Sequence, residues 1–248
     1  MNKKIMFFLL VAFAIIACEK QPSNNREGYS PKFVVEGWIE EGGYPYVMLT
    51  HNLPFFTAMD SAQLNEVVIR WAKVSVSDGT TTEILTGMKD NRYFPPYGYK
   101  GSEIKGEAGK TYTLKIEYAG NILTAETSIP QNAKLDSIWF TAKEEGLKQQ
   151  LNVKFSDDAI DTNFYRLFTR TAEDEIFYPS LLSVQTDKYF NGKQFSLQVN
   201  RGPKNNLKIR NEAFFNTGDT VFVKFSAIPK SAYEFWSSFN DEVLNSSN

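Results

Sequence analysis

The tripeptide Gly109-Lys110-Thr111 has the residue types of a phosphate-binding loop. In such a loop the backbone N–H groups and the lysine hold the phosphates, and the loop follows a strand and opens a helix. The first glycine of that pattern lies five residues before the second, and Ile104 stands at this position. The residues after Thr111 also alternate in polarity, as a strand does. We therefore predict no nucleotide site here.

His51 is the only histidine of the chain, so a catalytic triad or a histidine-based metal site would depend on it alone. The chain has no Gly-x-Ser-x-Gly elbow and no His-Glu-x-x-His motif. We predict that His51 ends a strand and has no catalytic role. The chain is accordingly expected not to be an enzyme, and we predict no cofactor and no metal.

Three carboxylates, Asp157, Asp158 and Asp161, follow a predicted strand. Their oxygens could hold Ca²⁺, but the spacing is not that of an EF-hand and its central glycine is missing. We favour a solvated turn. A pair of carboxylates for glycoside hydrolysis stays open as a third functional alternative, because their separation of about 5–10 Å is set by the fold and not by sequence spacing.

Two loops combine aromatic residues with proline and glycine, one at residues 53–56 and one at residues 91–101. The second loop is too rich in proline and glycine for a central strand. Rings displayed on such loops could stack on sugars or dock a partner protein. The alternative is that they fold back over the open end of a sandwich. The candidate binding residues are Phe55, Phe56, Tyr93, Phe94, Tyr97 and Tyr99.

The single cysteine, Cys18, follows a basic start at Lys3 and Lys4 and an uncharged apolar run over residues 5–17. As a helix this run spans about 20 Å, which is too short for a bilayer core of about 30 Å. A basic start, a short apolar stretch and a small residue before a break are typical of a secretory signal peptide. Ile15-Ile16-Ala17-Cys18 resembles the lipobox of bacterial lipoproteins.

This resemblance implies that residues 1–17 are a signal peptide and that Cys18 receives a diacylglyceryl group. Cleavage before Cys18 frees an amino group that is then acylated, and two or three acyl chains anchor a protein firmly. The polar residues 18–31 are predicted to form a flexible tether. The expected partner of Cys18 is therefore membrane lipid, and the family resemblance given below implies that this is outer-membrane lipid.

Composition narrows the class of protein. Removal of residues 1–17 leaves 231 of the 248 residues and changes the formal charge from −2 to −4, since Lys3 and Lys4 are lost. A nearly neutral chain without a basic stripe is not expected to bind nucleic acid. Aromatic residues make up 15% of the chain, which is ordinary for the thin cores of β-sandwiches.

The elements that position these residues are mostly strands. Residues 111–118 alternate with Tyr112 and Ile116 on one face, and Gly120-Asn121 predicts a hairpin turn after them. Tyr112 is predicted to form the tyrosine corner of an immunoglobulin-like sandwich. Near the end, Ser231 and Glu234 form a capping box, and the residues that follow predict an amphipathic helix with an aromatic face packed on the second domain: Ala232, Phe235, Trp236, Phe239 and Val243.

The predicted fold is mainly β, with two immunoglobulin-like antiparallel β-sandwich domains in tandem and a short C-terminal α-helix. The first domain is expected at residues 32–130. The second is expected at residues 135–248 and to end in the helix, with truncation of this domain left open. Residues 129–133 are the predicted joint.

Several segments together resemble an uncharacterised family, a domain of unknown function, of two-domain β-sandwich lipoproteins of the Bacteroidetes, commonly encoded beside TonB-dependent outer-membrane transporters. The segments that carry the resemblance are the lipobox at Cys18, residues 33–39, 47–50, 54–55, 109–116, 135–138, 163–165 and 228–239. Family members usually continue past the helix, whereas this chain stops at Asn248. A C-terminal truncation and a short variant of the family therefore stay open, and in either case the second domain could lack a closing strand.

The resemblance implies an outer-membrane lipoprotein that assists a TonB-dependent transporter in nutrient uptake, and it supplies no ligand or catalytic residue. The alternative is a structural or adhesive surface protein whose sandwiches pair through strand edges. An export signal of acidic residues after the lipidated cysteine is matched only by Glu19, with Lys20 next. The cell surface and the periplasmic face thus stay open as locations.

Overall fold

The computed structural model describes residues 30–53, 66–131, 133–143, 146–202 and 213–245. The chain is mainly β and ends in one described α-helix, α1 (Lys230–Asn245). The strands, in chain order, are β1 (Phe33–Trp38), β2 (Tyr46–His51), β3 (Lys73–Ser77), β4 (Thr82–Ile84), β5 (Thr86–Lys89), β6 (Tyr97–Lys100), β7 (Thr111–Tyr118), β8 (Asn121–Ser128), β9 (Leu135–Lys143), β10 (Lys148–Ser156), β11 (Phe164–Thr171), β12 (Tyr178–Thr186), β13 (Gln194–Val199), β14 (Phe215–Asn216) and β15 (Val221–Ala227).

The chain divides into two compact units. The smaller unit comprises Met1–Val35 and Leu49–Ile69, and the larger comprises Glu36–Met48 and Arg70–Asn248. In the smaller unit β2 ends at His51, as predicted, and the His51 ring lies 5.3 Å from the ring of Phe33.

The strands form four antiparallel sheets, which agrees with the predicted sandwich class. The sheet orders are β1-β2-β6-β5, β4-β3-β7-β8, β12-β11-β15, and a sheet in which β10 pairs with β9 on one side and with β13 and β14 on the other. The core of the C-terminal half lies between the last two sheets. Its buried side chains come from both sheets, except Phe190, which follows the 3-10 helix Asp187–Tyr189. They form two clusters: Leu151, Val153, Leu167, Val199 and Phe215 in one, and Phe155, Tyr165 and Phe190 in the next.

The hairpin of β7 and β8 follows its sequence pattern closely. Tyr112 and Ile116 are buried, as the alternation predicts. The turn falls on Ala119 and Gly120, whose φ angles are 49° and 77°, one residue before the predicted pair. The predicted tyrosine corner is confirmed, because the Tyr112 hydroxyl accepts the Glu107 N–H at 2.8 Å and donates to the Lys105 carbonyl at 3.3 Å.

The C-terminal helix is confirmed, but two details of its prediction are wrong. The Tyr233 N–H donates to the Pro229 carbonyl, so the helix starts before Ser231, which lies inside the first turn and not at the N-cap. The predicted aromatic face packs only in part, because Phe235 and Phe239 are 61% and 47% exposed, whereas Trp236 is half-buried against Arg166 of β11. The Tyr233 ring, which the prediction did not include, packs 4.8 Å from Phe164. Among the described residues no helix has the length and hydropathy needed to span a membrane.

Candidate functional site

In the acidic turn after β10, the carboxylates of Asp157 and Asp158 accept hydrogen bonds from neighbouring residues. Asp157 accepts the Tyr165 hydroxyl and, at 2.8 Å, the Gly192 N–H, while Asp158 accepts the Ile160 N–H at 3.1 Å. Within the described ranges no group of three or more His, Cys, Asp or Glu side chains is placed to hold a metal ion. The carboxylates of Asp157 and Asp158 therefore organise the backbone around this turn.

The aromatic loop before β6 is built on a cluster of three rings. The Tyr46 ring stacks on Trp38 with centroids 4.8 Å apart, and the Tyr93 ring lies 5.4 Å from Trp38 and 5.2 Å from Tyr46. These separations are in the range where aromatic pairs add about 0.5–1.5 kcal/mol each beyond the area that they bury. The Tyr93 ring therefore anchors its loop to β1 and β2.

An ion pair between the buried Asp90 and the exposed Arg92 also fixes this loop. Asp90 is 6% exposed, and both its oxygens accept from Arg92, at 2.9 Å from Nε and 2.6 Å from Nη2. The hydrogen bonds from Arg92 outweigh burial and hold the pKa of Asp90 below its usual range. The Tyr46 hydroxyl donates to Asp90 at 3.4 Å, and burial together with the Asp90 charge raises the pKa of Tyr46 to about 12.

The end of the aromatic loop is a strand inside a sheet, so the prediction that it cannot be central is wrong. β6 lies between β2 and β5 in the sheet order. The two prolines precede the strand, where no ladder hydrogen bond is needed from them. Gly98 is the residue that makes the strand possible, because a Cβ there would come within 2.4–2.5 Å of the Tyr46 ring.

Two tyrosine hydroxyls of β6 hold the segment that displays a tryptophan. The Tyr97 hydroxyl donates to the Arg70 carbonyl at 3.2 Å, and the Tyr99 hydroxyl accepts the Ala72 N–H at 3.1 Å. Trp71, between these two residues, is 88% exposed. A large ring left so open to water at a position fixed by hydrogen bonds on both sides is available for contact.

The structure divides the predicted site residues into three groups. Tyr99 is buried, and Tyr93 and Tyr97 are half-buried and support the loop. Phe94 is 68% exposed. The remaining predicted residues, Phe55, Phe56 and the lipidation site Cys18, lie outside the described residues.

Sequence reasoning missed the residues that support or extend this site. Asp90 and Arg92, two residues apart and next to the aromatic run, were a usable signal for a salt-bridged turn. Trp71 gave no such signal, because it lies in a stretch whose alternation resembles a strand. We refer to Phe94 and Trp71 as the displayed rings.

The displayed rings offer flat apolar contact on a rigid support. Phe94 follows the anchored Tyr93, and Trp71 lies between the residues bound by Tyr97 and Tyr99. A ring whose neighbours are already fixed loses little conformational freedom when it is covered by a ligand or partner. Such an arrangement suits binding.

Comparison with known proteins gives one family. No curated protein matches the chain. A family model described as "Domain of unknown function (DUF4249)" matches residues 21–248, which is nearly the whole of the chain after Cys18. The protein therefore belongs to the DUF4249 family of domains of unknown function.

Proposed function

We propose that this protein is a lipid-anchored accessory protein of the bacterial outer membrane, which binds or passes on a nutrient for a TonB-dependent transporter. The observation that carries the proposal is Cys18, the only cysteine, placed at the end of an apolar run after a small residue. One thiol cannot close a disulfide within the chain, whereas lipid attachment would explain a single cysteine at this position.

The displayed rings support the binding part of the proposal. Aromatic side chains are enriched among the residues that dominate binding energy at protein interfaces, and they also line small-molecule sites. Phe94 and Trp71 are exposed although their immediate neighbours are fixed. This is the arrangement expected of a surface that receives a partner or a sugar ring.

The test is affinity purification of the lipidated protein from detergent-solubilised outer membranes of its own host, followed by mass spectrometry. A double variant, Phe94→Ala with Trp71→Ala, tests the displayed rings. Tyr189→Ala is the matched control, because the Tyr189 side chain is also aromatic and 83% exposed but belongs to another element, the 3-10 helix Asp187–Tyr189.

We expect one TonB-dependent transporter in amounts comparable with the tagged protein. The double variant should reduce that recovery at least fivefold, and Tyr189→Ala should leave it unchanged. Recovery of the tagged protein alone, or with fibrous surface material, would contradict the proposal.

A structural or adhesive role is the second candidate, and the edge strand β9 favours it. Among the described strands β9 pairs only with β10. Ile138, Trp139 and Phe140 on this strand are 49%, 41% and 43% exposed. An exposed apolar edge can add a strand from another chain. Recovery of self-associated material in the same purification would support this role.

A further inference from the structure

The outer face of β11 interleaves cations and aromatic rings. Leu167 and Tyr165 point into the core, so the alternate residues Arg166, Phe168 and Arg170 share the opposite face. Opposite them in register on β15 lie Ser226, Lys224 and Phe222. Arg170 lies 4.0 Å from the centroid of the Phe222 ring, and Lys224 lies 4.4 Å from that of Phe168.

Three cations lie on this face: Arg166, Arg170 and Lys224. Lys224 and Arg170 each have an oxygen partner. Lys224 Nζ pairs with Glu40 Oε1 at 2.6 Å. Arg170 is half-buried, and its Nη1 donates to the Asp174 carbonyl at 3.3 Å.

Arg166 differs from both. It is only 9% exposed, and no carboxylate of the described chain lies within 4 Å of its guanidinium. Its one protein hydrogen bond, within the part of the chain that the structure describes, runs from Nε to Ser183 Oγ at 3.3 Å.

The geometry around Arg166 leaves the outer edge of the guanidinium available. The faces of the guanidinium contact aromatic rings. Arg166 Cζ lies 3.6 Å from the centroid of the Trp236 ring on α1 and 4.8 Å from that of the Phe168 ring. The in-plane N–H groups of Nη1 and Nη2 have no described protein acceptor. Neither atom is among the buried side-chain atoms that lack a hydrogen-bond partner, so each Nη atom keeps some contact with solvent.

Burial disfavours the charge of Arg166. It lowers the pKa of Arg166 to about 10, and the charge of Glu36 opposes the shift only in part. The side chain is still protonated at neutral pH. A buried cation without a counter-ion is costly, and an anion that reaches its open edge would relieve that cost.

The neighbouring strand is distorted at the same place. Arg166 pairs with Val184 and Phe168 with Pro179, so β12 advances five residues while β11 advances two. Within this bulge Leu182 has a φ of 54°, an uncommon value for a bulky residue, and Ser183 turns its hydroxyl to Arg166. Bulges of this kind often lie beside binding sites, where they re-aim a side chain.

We propose that Arg166, Ser183 and Trp236 form a binding site for a small molecule that carries a carboxylate. A guanidinium edge matches a carboxylate with two parallel hydrogen bonds. A single cation with one hydroxyl suits a monoanion better than a phosphate dianion, and the flanking rings suit a carbon skeleton attached to it. This inference rests on the binding role proposed above and names a class of ligand for it.

The test is a ligand-observed NMR titration of the full-length lipoprotein in detergent. Two sources of the carboxylate are compared, sodium D-glucuronate as an acidic sugar and N-acetylglycine as an amino-acid derivative, with D-glucose as the neutral control. The variants are Arg166→Met, Arg166→Lys and, as the matched control, Arg170→Met, which removes a cation from the same face of the same strand. Circular dichroism verifies that each variant is folded.

We expect saturable binding of at least one carboxylate probe and none of glucose. Arg166→Met should raise the dissociation constant at least tenfold, and Arg166→Lys at least threefold because it keeps the charge but loses the forked edge. Arg170→Met should change it less than twofold. Preference for glucuronate would assign the site to acidic sugars, and preference for N-acetylglycine to amino-acid derivatives.

Absence of binding of both carboxylates, or equal binding by wild type and both Arg166 variants, would overturn the inference. Should Arg166→Met not fold, Arg166→Lys decides between these outcomes. Recovery of a transporter without carboxylate binding would overturn this inference alone. Carboxylate binding without a recovered transporter would overturn only the accessory role.

Discussion

At the scale of single residues, the aromatic loop divides into side chains that hold it and side chains that it displays. Tyr93 packs against Trp38 and Tyr46, whereas its neighbour Phe94 is 68% exposed. Sequence alone cannot assign these roles, because adjacent rings of similar size differ only in which one meets the sheet. Substitution of Tyr93 should therefore lower stability, whereas substitution of Phe94 should affect binding.

Tyr93→Ala should lower the free energy of unfolding by about 2 kcal/mol, since it removes two aromatic contacts from a half-buried position. Phe94→Ala should change it by less than about 0.5 kcal/mol, as is usual for exposed positions. Urea unfolding monitored by circular dichroism measures both. Equal destabilisation by the two variants would contradict the division of roles.

Glu83 on β4 is a buried carboxylate that organises a loop. It is 5% exposed and accepts the backbone N–H groups of Glu103 at 3.0 Å and Ile104 at 2.9 Å, and that of Ser102. Burial alone would raise the pKa of Glu83, but the hydrogen bonds from Ile104, Ser102 and Glu103 outweigh it and the pKa lies below its ordinary value.

Glu83→Gln should therefore destabilise the fold by about 2 kcal/mol at pH 7, because a charged acceptor of several N–H groups is lost. A carboxyl whose folded pKa is depressed contributes fully above its ordinary pKa of about 4.3 and loses that contribution as the pH falls through the folded pKa. The difference between wild type and variant should then shrink below about pH 4.3.

Denaturant unfolding at a series of pH values measures this difference. Glu107→Gln is the control, because Glu107 is 61% exposed in a surface ion pair and should cost less than about 1 kcal/mol. A difference for Glu83→Gln that does not change with pH would show that its charge is not the cause.

At the scale of elements, the sequence predicted those features that depend on residues close together in the chain. The β7–β8 hairpin and the tyrosine corner at Tyr112 followed from alternation and glycine placement within one short stretch. β6 was not predicted, because its place between β2 and β5 depends on Gly98 accommodating a ring more than fifty residues away in the sequence. The arrangement around Arg166 was likewise invisible, since it joins two strands and a helix.

The edge strand β9 permits a prediction at this scale. Its exposed apolar side chains and its single described neighbour favour self-association at high concentration. Trp139→Lys should weaken that association roughly tenfold, since a lysine at an edge opposes strand addition. Sedimentation velocity over a range of concentrations measures it.

Trp71→Lys is the matched control, because it also replaces an exposed tryptophan with lysine but does so outside the strands. It should leave the association unchanged. Equal weakening by both variants would point to general charge repulsion in place of edge pairing.

At the scale of the whole molecule, the fold class followed from composition and strand patterns, and membership of the DUF4249 family agrees with the resemblance to a domain family without assigned function. The domain boundaries at 32–130 and 135–248 remain a prediction. The proposed function depends on a lipid anchor at Cys18, which lies outside the described residues, and this anchor is tested in cells.

Cys18→Ser should move most of the protein from the membrane fraction to the soluble fraction. The reason is that serine cannot form the thioether that carries the diacylglyceryl group, and the firm membrane affinity comes from the acyl chains. Fractionation and immunoblotting of cells that express each form measure the change. Ser23→Ala, in the expected tether, is the control and should remain with the membranes. Membrane retention of the Cys18 variant would contradict lipid anchoring.

The exposure of Trp71 also gives the molecule an optical probe of its own. Of the four tryptophans, Trp71 is the most exposed at 88%, whereas Trp139 is 41% exposed and Trp38 and Trp236 are half-buried. Its emission should lie furthest to the red and should be the most strongly quenched by acrylamide. A partner or sugar that covers this ring would shift the emission to shorter wavelength and protect it from the quencher. Occupancy of the Trp71 ring can therefore be followed without a label.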